Sequence, residues 1–113
     1  MRESDDHSKR IAKLNDEARQ AMGIKCRAVQ TAGISALSPE AQSAIREKVE
    51  TFNTFTPDND PYGEHDFGLV VVGTIRVFWK IDYYDLNMQY AADDPSDAQR
   101  TTRVLIVMLA SEY

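Results

Sequence analysis

The sequence is short of the features that fix a fold covalently or place it in a membrane. It has a single cysteine, Cys26, which cannot form an internal disulfide, so packing alone must hold the fold and a reducing compartment is expected. No apolar run approaches the roughly 20 residues that cross a bilayer. The N-terminus is mixed in charge and has no apolar segment of the kind found in secretory signals. These absences predict a cytoplasmic protein that does not insert into membranes.

Recognisable catalytic and cofactor motifs are also missing. The sequence has no glycine-rich phosphate loop, no nucleophile elbow with serine or cysteine, and no pair of histidines or cysteines at metal-ligand spacing. We therefore predict no cofactor and favour a protein without enzymatic activity.

Charge is present, but it is uneven. Residues 1–53 carry nine Lys and Arg against eight Asp and Glu, whereas residues 54–113 carry four against ten, which concentrates the net charge of −5 in the second half. Such a surface repels phosphates and attracts cations or a basic protein face, so direct nucleic-acid binding is not expected. The alternative interpretation is that the acidic residues only keep the protein soluble.

Periodicity in the first half predicts two helices and a strand. Ser4 or Asp5 can cap a first helix with one buried stripe that stops near Gly23. Residues 26–32 are typical of a short strand, and Ser38 followed by proline is a favoured helix start. We expect one domain over residues 1–113, with residues 1–6 frayed.

The second half changes to a period of two. Residues 66–72 and 74–84 predict a hairpin that turns at Gly73, and a brief strand is expected around residues 88–90. Residues 94–97 then predict the start of a last helix, which continues through the apolar residues 104–109. The order α-β-α-β-β-β-α predicts an α+β fold in two layers, with an antiparallel-rich sheet of about four strands and helices mainly on one face.

Two surfaces are candidates for binding a partner. One is the turn-rich loop of residues 56–66, because prolines and self-bonding Asp and Asn residues build a shaped loop rather than a slack linker. The other is the sheet face that the helices leave open, which alternation in the longer strand assigns to every second side chain. The predicted contact residues are Asp58, Asp60, Tyr62, Glu64, His65 and Asp66 from the loop, and Phe78, Lys80, Asp82 and Tyr84 from the sheet.

Two other uses of the loop stay open. Asp58, Asp60 and Glu64 are the oxygen ligands available to a hard cation, although the spacing does not complete a calcium loop. His65, oriented by Glu64 or Asp66, has the chemistry of a general acid or base. Bracing of the turns by the same side chains competes with both interpretations.

Three segments together resemble a known family. They are Phe55-Thr-Pro-Asp-Asn-Asp-Pro-Tyr-Gly-Glu-His-Asp-Phe-Gly, Val77-Phe-Trp-Lys-Ile-Asp-Tyr-Tyr-Asp, and Thr101-Thr-Arg-Val-Leu with the terminal Met-Leu-Ala-Ser-Glu-Tyr. The sequence is similar, from Arg10 to Tyr113, to a bacterial family known as domain of unknown function number thirty-seven sixty-eight. The resemblance implies no reaction or cofactor. It implies a context, namely the small accessory proteins of plasmids and other mobile elements.

The sequence thus predicts a non-enzymatic accessory factor of a mobile element that binds a protein with a basic surface. In that context an antagonist of a host defence system, of the anti-CRISPR or anti-restriction type, is expected. The alternative is a small metal-assisted or His-dependent enzyme centred on residues 58–66. Neither the partner nor the oligomeric state follows from the sequence.

Overall fold

A computed structural model describes residues 3–113, with side chains from residue 6 onward. Residues 1–2 of the expected frayed terminus lie outside the described part, as do the side chains of Ser4 and Asp5, the proposed caps, whose backbone is already helical. The elements in chain order are α1 (Glu3–Gln20), β1 (Arg27–Gln30), α2 (Ala32–Ser35), α3 (Pro39–Glu50), β2 (Phe67–Val72), β3 (Ile75–Tyr84) and β4 (Thr102–Leu109), followed by a 3₁₀ turn at Ala110–Glu112.

The four strands form one sheet in the order β1-β4-β3-β2. Neighbours β2, β3 and β4 are antiparallel, while β1 runs parallel to β4. The α+β class is therefore confirmed, and the sheet is mixed rather than purely antiparallel. None of the described helices is both long and apolar enough to cross a membrane.

The predicted last helix is wrong, because residues 102–109 form β4 in the middle of the sheet. Both faces of this strand are buried at its centre, where Val104, Leu105, Val107 and Met108 are all less than 10% exposed. A strand enclosed on both sides loses the alternation that identifies a half-buried strand, and its continuous apolar run looks like that of a buried helix.

The segment between β3 and β4 also differs from the prediction. Instead of a strand at residues 88–90 there is a turn, and a single antiparallel bridge joins Tyr84 to Ala91. Asp94, expected to open a helix, accepts hydrogen bonds from the Ser96 backbone N–H and hydroxyl, 3.0 and 2.6 Å away. Short side chains that bond nearby backbone favour turns over helices, which explains the difference.

The first two predicted helices and the hairpin are confirmed. Ser38 caps α3 by accepting a hydrogen bond from the Ala41 N–H, and Pro39 occupies the first helical position. Gly73, with φ of 61°, supplies the left-handed conformation of the two-residue turn between β2 and β3.

One buried cluster joins α2, α3 and the sheet. Trp79 at its centre is fully buried and packs edge-to-face on Phe52, with ring centroids 5.4 Å apart. Gly68 lies opposite Trp79, and a Cβ added there would meet the indole at 2.5 Å, so this position must be glycine. The other members are Ile34, Ile45, Val49, Val70, Val77, Ile81, Leu105 and Val107.

Candidate functional site

The sheet has one covered face and one open face. Side chains of Val77, Trp79 and Ile81 on β3 face the helices and are buried, as the alternation predicted. Strand register places the intervening residues on the other side, away from the buried cluster that joins α2, α3 and the sheet. We call this side the open face; it carries Arg27, Val29, Phe67, Leu69, Val71, Arg76, Phe78, Lys80, Asp82, Tyr84, Thr102, Val104, Ile106 and Met108.

The exposed aliphatic side chains of the open face lie on its two edge strands. Val29 on β1 is 49% exposed, and Leu69 and Val71 on β2 are 36% and 45% exposed. Phe78 packs against the rings of Phe67 and Tyr113, with centroids 5.1 Å away in both cases. Because Leu69 pairs with Phe78, β2 and β3 share one apolar strip, whereas Val29 lies beyond β4, where Met108 is buried.

Charged side chains lie next to the apolar residues of the open face. Lys80 and Asp82, predicted to share a strand face, form an ion pair of 3.2 Å on the open face. Tyr84 follows them at the end of β3, where residues 85–97 begin. The four predicted contact residues from the sheet therefore lie together on one accessible surface.

The loop residues are placed differently, since several turn inward. The side chain of Asp60 is buried and its carboxylate accepts hydrogen bonds from the backbone N–H groups of Glu64 and His65, at 3.1 and 3.2 Å. Asn59 similarly bonds the backbone of Thr56. These side chains brace the turns of the loop.

Only the tip of the loop is fully accessible. Asp58 is exposed and Tyr62 is 79% exposed, whereas Glu64, His65 and Asp66 are half-buried. The Asp66 carbonyl accepts from the Ile81 N–H at 2.9 Å, which places Asp66 opposite a residue of the covered face. The loop and the open face are thus two separate surfaces.

His65 is held by a carboxylate that the sequence did not point to. Asp16 on α1 lies 3.0 Å from His65 Nδ1, and the imidazole stacks on the Phe55 ring at 3.8 Å between centroids. The second ring nitrogen, Nε2, lies 3.7 Å from the Asp60 carboxylate. His65 also has φ of 57°, in the left-handed region that non-glycine residues rarely adopt.

This arrangement orients the imidazole and joins α1 to the loop. Asp16 is within hydrogen-bond distance of Nδ1, whereas Nε2 lies beyond hydrogen-bond distance from Asp60. A general base needs one ring nitrogen turned toward a substrate proton, and within residues 3–113 Nε2 is the nitrogen of His65 without a hydrogen bond.

A second polar cluster lies beside it, around Asn15. Asn15 is fully buried and bonds three partners: it accepts from Arg103 Nε at 2.7 Å and donates to the Tyr83 hydroxyl at 2.7 Å and the Glu64 carbonyl at 2.9 Å. Arg103 also donates to the Pro95 carbonyl. The cluster thereby ties α1, both central strands and two loops together.

Burial in this region changes several pKa values. Desolvation, and to a smaller degree the charge of Asp66, raises the pKa of the Glu64 carboxyl above its usual range. Burial likewise raises the pKa of Asp66 and that of the Tyr83 hydroxyl. Such shifts occur at catalytic sites, but they also follow from packing polar groups under a loop.

The oxygen ligands proposed for a cation in the loop of residues 56–66 do not form a binding site in the described structure. Across residues 3–113, no group of three or more His, Cys, Asp or Glu side chains has an arrangement able to hold a metal ion. Asp58 points to solvent while Asp60 is used by backbone N–H groups, so the oxygens proposed as ligands are not brought together.

The acidic character of the second half is concentrated after β3 instead. Asp85, Asp93, Asp94 and Asp97 line one surface depression of about 570 Å³ together with the exposed side chains of Leu86 and Tyr90. We call residues 85–97 the acidic segment. Since Tyr84 bridges to Ala91, this segment begins where the open face ends.

Four residues of these polar clusters were not predicted as site residues: Asn15, Asp16, Arg19 and Arg103. Arg19 is 2% exposed, stacks its guanidinium 5.0 Å from the Trp79 ring and bonds Asp16. The sequence contains a signal for two of them, because Asn15 and Arg19 occupy the helical stripe that also holds Ile11 and Ala18. Polar residues inside an apolar stripe indicate buried partners.

Comparison with known proteins gives one family match. The family model described as "Protein of unknown function (DUF3768)" matches residues 30–112, so α1 with Asn15, Asp16 and Arg19 lies outside the matched range. No curated protein matches the chain, and no solved structure does either.

Proposed function

The chain belongs to the DUF3768 family, and from its geometry we propose that it is a non-enzymatic protein that binds a partner protein through the open face. The observation that carries this proposal is the uncovered apolar surface of the sheet. Water-exposed Leu69 and Val71 on β2 lie beside partly buried Phe78 on β3, which pairs with Leu69. Patches of this kind, rimmed by polar residues, mark protein interaction sites.

The partner's chemistry follows from the border of the patch. Asp82 and the acidic segment lie at one end of the open face, next to exposed Leu86 and Tyr90. A complementary partner surface is apolar in the middle and basic at one side. In the mobile-element context that the family resemblance implies, such a partner is a host protein, and a component of a defence system is our specific proposal.

Capture from the native host tests the proposal. The tagged chain is incubated with lysate, and retained proteins are compared between wild type, Phe78→Asp and Tyr62→Ala. Phe78→Asp introduces a charge at the centre of the open face, so it should abolish retention of the specific partner. Tyr62→Ala removes an exposed aromatic ring from the separate loop surface and should leave retention unchanged. Loss of retention in Tyr62→Ala alone would assign binding to the loop.

Salt gives an independent test of the acidic border. Association steered by the acidic segment should slow as ionic strength rises, because exposed charges are screened beyond roughly 10 Å at 0.1 M salt. Asp93→Asn combined with Asp97→Asn should slow association at low salt and leave the rate at high salt nearly unchanged. Equal slowing at both salt concentrations would contradict electrostatic steering.

A His-dependent enzyme is the alternative, and one observation favours it. Asp16, His65 and Asp60 form a carboxylate–imidazole–carboxylate row in which the histidine backbone is left-handed. Strained residues of this kind cluster at active sites. If the row is catalytic, His65→Gln should abolish a reaction while the partner in the capture experiment is still retained. If the binding proposal is right, His65→Gln should lower stability and leave partner affinity within about twofold of wild type.

A further inference from the structure

Strand β2 is an unprotected sheet edge. It lies at the end of the order β1-β4-β3-β2, so only one of its two sides is paired. Its sequence, Phe-Gly-Leu-Val-Val-Val, has no charge and no proline, and its register with β3 is continuous, which excludes a bulge. Natural sheet edges are normally protected by one of these devices.

The opposite edge is protected. Strand β1 has only four residues, and it carries Arg27 and Gln30. Short strands and charged side chains oppose pairing with another chain. The contrast indicates that β2 is an edge that pairs, whereas β1 is an edge that does not.

The ladder with β3 shows which backbone groups of β2 are free. Because the Ile81 N–H bonds the Asp66 carbonyl, the hydrogen-bonded positions of the alternating antiparallel pattern fall on the even-numbered residues of β2. The N–H and C=O groups of Phe67, Leu69 and Val71 therefore point away from β3. No other backbone hydrogen bond within residues 3–113 involves these three residues.

We propose that two copies of this chain pair through β2, antiparallel about a two-fold axis that passes beside Leu69. In this register Leu69 lies opposite the partner's Leu69, and Phe67 lies opposite the partner's Val71. Every outward N–H and C=O group of the three residues then has a partner on the other strand. The interface is isologous, as closed two-fold dimers require.

The side chains exclude a register shifted by one residue, and of the remaining registers only this one pairs all three outward residues. Residues directly opposite in an antiparallel pair point to the same side, and Phe67, Leu69 and Val71 all belong to the open face. A shift by one residue would place open-face side chains opposite covered-face ones, which the helices forbid. Pairing at Leu69 instead joins two apolar strips side by side into one.

The dimer has one continuous eight-stranded sheet, with helices on one side and both open faces on the other. This goes beyond the proposed function, because association of the purified chain needs no partner protein. It also gives the proposed binding site a defined extent, since a partner would meet two related copies of the open face.

Sedimentation equilibrium of the purified full chain tests the pairing. The wild type should be a dimer that dissociates on dilution, and Leu69→Lys should be a monomer at the same concentration. Val29→Lys places the same charge on the same face at the opposite edge, where the side chain is 49% exposed, and should remain dimeric. A wild-type chain that stays monomeric up to about 1 mM would overturn the proposal. Dissociation by Val29→Lys as complete as by Leu69→Lys would assign the dimer to a face-to-face contact and would also overturn it.

Cross-linking and proline substitution test the register. In a Cys26→Ser background, Leu69→Cys should form an intermolecular disulfide under mild oxidation, since opposed Cα atoms about 5.5 Å apart suit the bond. Arg76→Cys, one strand further in, should not form it, and preferential cross-linking there would overturn the register. Leu69→Pro removes an outward N–H and should give a folded monomer, judged by circular dichroism. A folded Leu69→Pro dimer would contradict pairing through this edge.

Discussion

The two faces of β3 differ in what their side chains contribute. On the covered face, Trp79 is enclosed by Phe52, Phe55 and the Arg19 guanidinium. On the open face, its neighbour Phe78 meets two rings and remains half-buried. One strand thus supplies stability on one side and a surface for association on the other.

Trp79→Ala should cost about 3–5 kcal/mol of unfolding free energy, because it opens a cavity at the centre of the covered face. Phe78→Ala, one residue away, should cost roughly 1 kcal/mol, the scale of the aromatic contacts that it loses. Urea denaturation of both variants measures the difference. Equal losses would mean that the open face is also part of the stabilising core.

Removing a polar contact should also cost more stability on the covered face than on the open face. Arg103→Met leaves the buried Asn15 oxygen and the Pro95 carbonyl without their donor, so we expect a loss of about 1–3 kcal/mol. Lys80→Met removes a half-exposed ion pair on the open face and should change stability by at most about 1 kcal/mol. Thermal denaturation at matched pH compares the two, and a larger loss for Lys80→Met would reverse the assignment of the faces.

The left-handed backbone of His65 predicts an unusual order of stability. His65→Ala and His65→Gly both lose the Asp16 contact and the Phe55 stacking. Glycine tolerates positive φ whereas alanine does not, so His65→Gly should be the more stable of the two by roughly 1 kcal/mol. Chemical denaturation measures the gap, and a more stable His65→Ala would show that the loop relaxes when the imidazole is removed.

The raised pKa of Glu64 gives the smallest effect, a dependence on pH. Its folded-state value lies above the ordinary 4.5, so the folded state holds the proton more tightly than the unfolded state does. The resulting stability is fully present below the ordinary pKa and is lost as pH rises through the folded-state pKa. Glu64→Gln keeps the shape and an acceptor for Tyr83 but does not titrate.

The stability of Glu64→Gln relative to wild type should therefore increase with pH from about pH 4 upward and then level off. Urea titrations at a series of pH values give this difference. A difference that is constant, or one that falls with rising pH, would show that Glu64 is not desolvated under the loop.

Local signals predicted those parts of the fold that depend on local contacts. Capping by Ser38, the turn at Gly73 and the alternation along β3 each act within a few residues, and the structure confirms them. The segment 102–109 was mistaken for a helix because its environment on both faces comes from residues far away in the sequence. Its β-branched residues and length of eight were the signals for a strand.

Less of the candidate site than of the fold could be predicted from the sequence. Alternation located Phe78, Lys80, Asp82 and Tyr84 on one face, but nothing in the loop sequence showed that Asp60 would turn inward. The Asp16 partner of His65 is 49 positions away, and only tertiary packing brings them together.

The position of β4 has a consequence for synthesis on the ribosome. Strands β1 and β3 both hydrogen-bond to β4, so neither side of the sheet centre is complete before Leu109 has been made. Val29 pairs with Ile106, which is more than seventy residues later in the chain, and contacts between residues so far apart in sequence form slowly. Until then both edges of the nascent hairpin are unpaired, and unpaired strand edges favour aggregation of chains that are still being made.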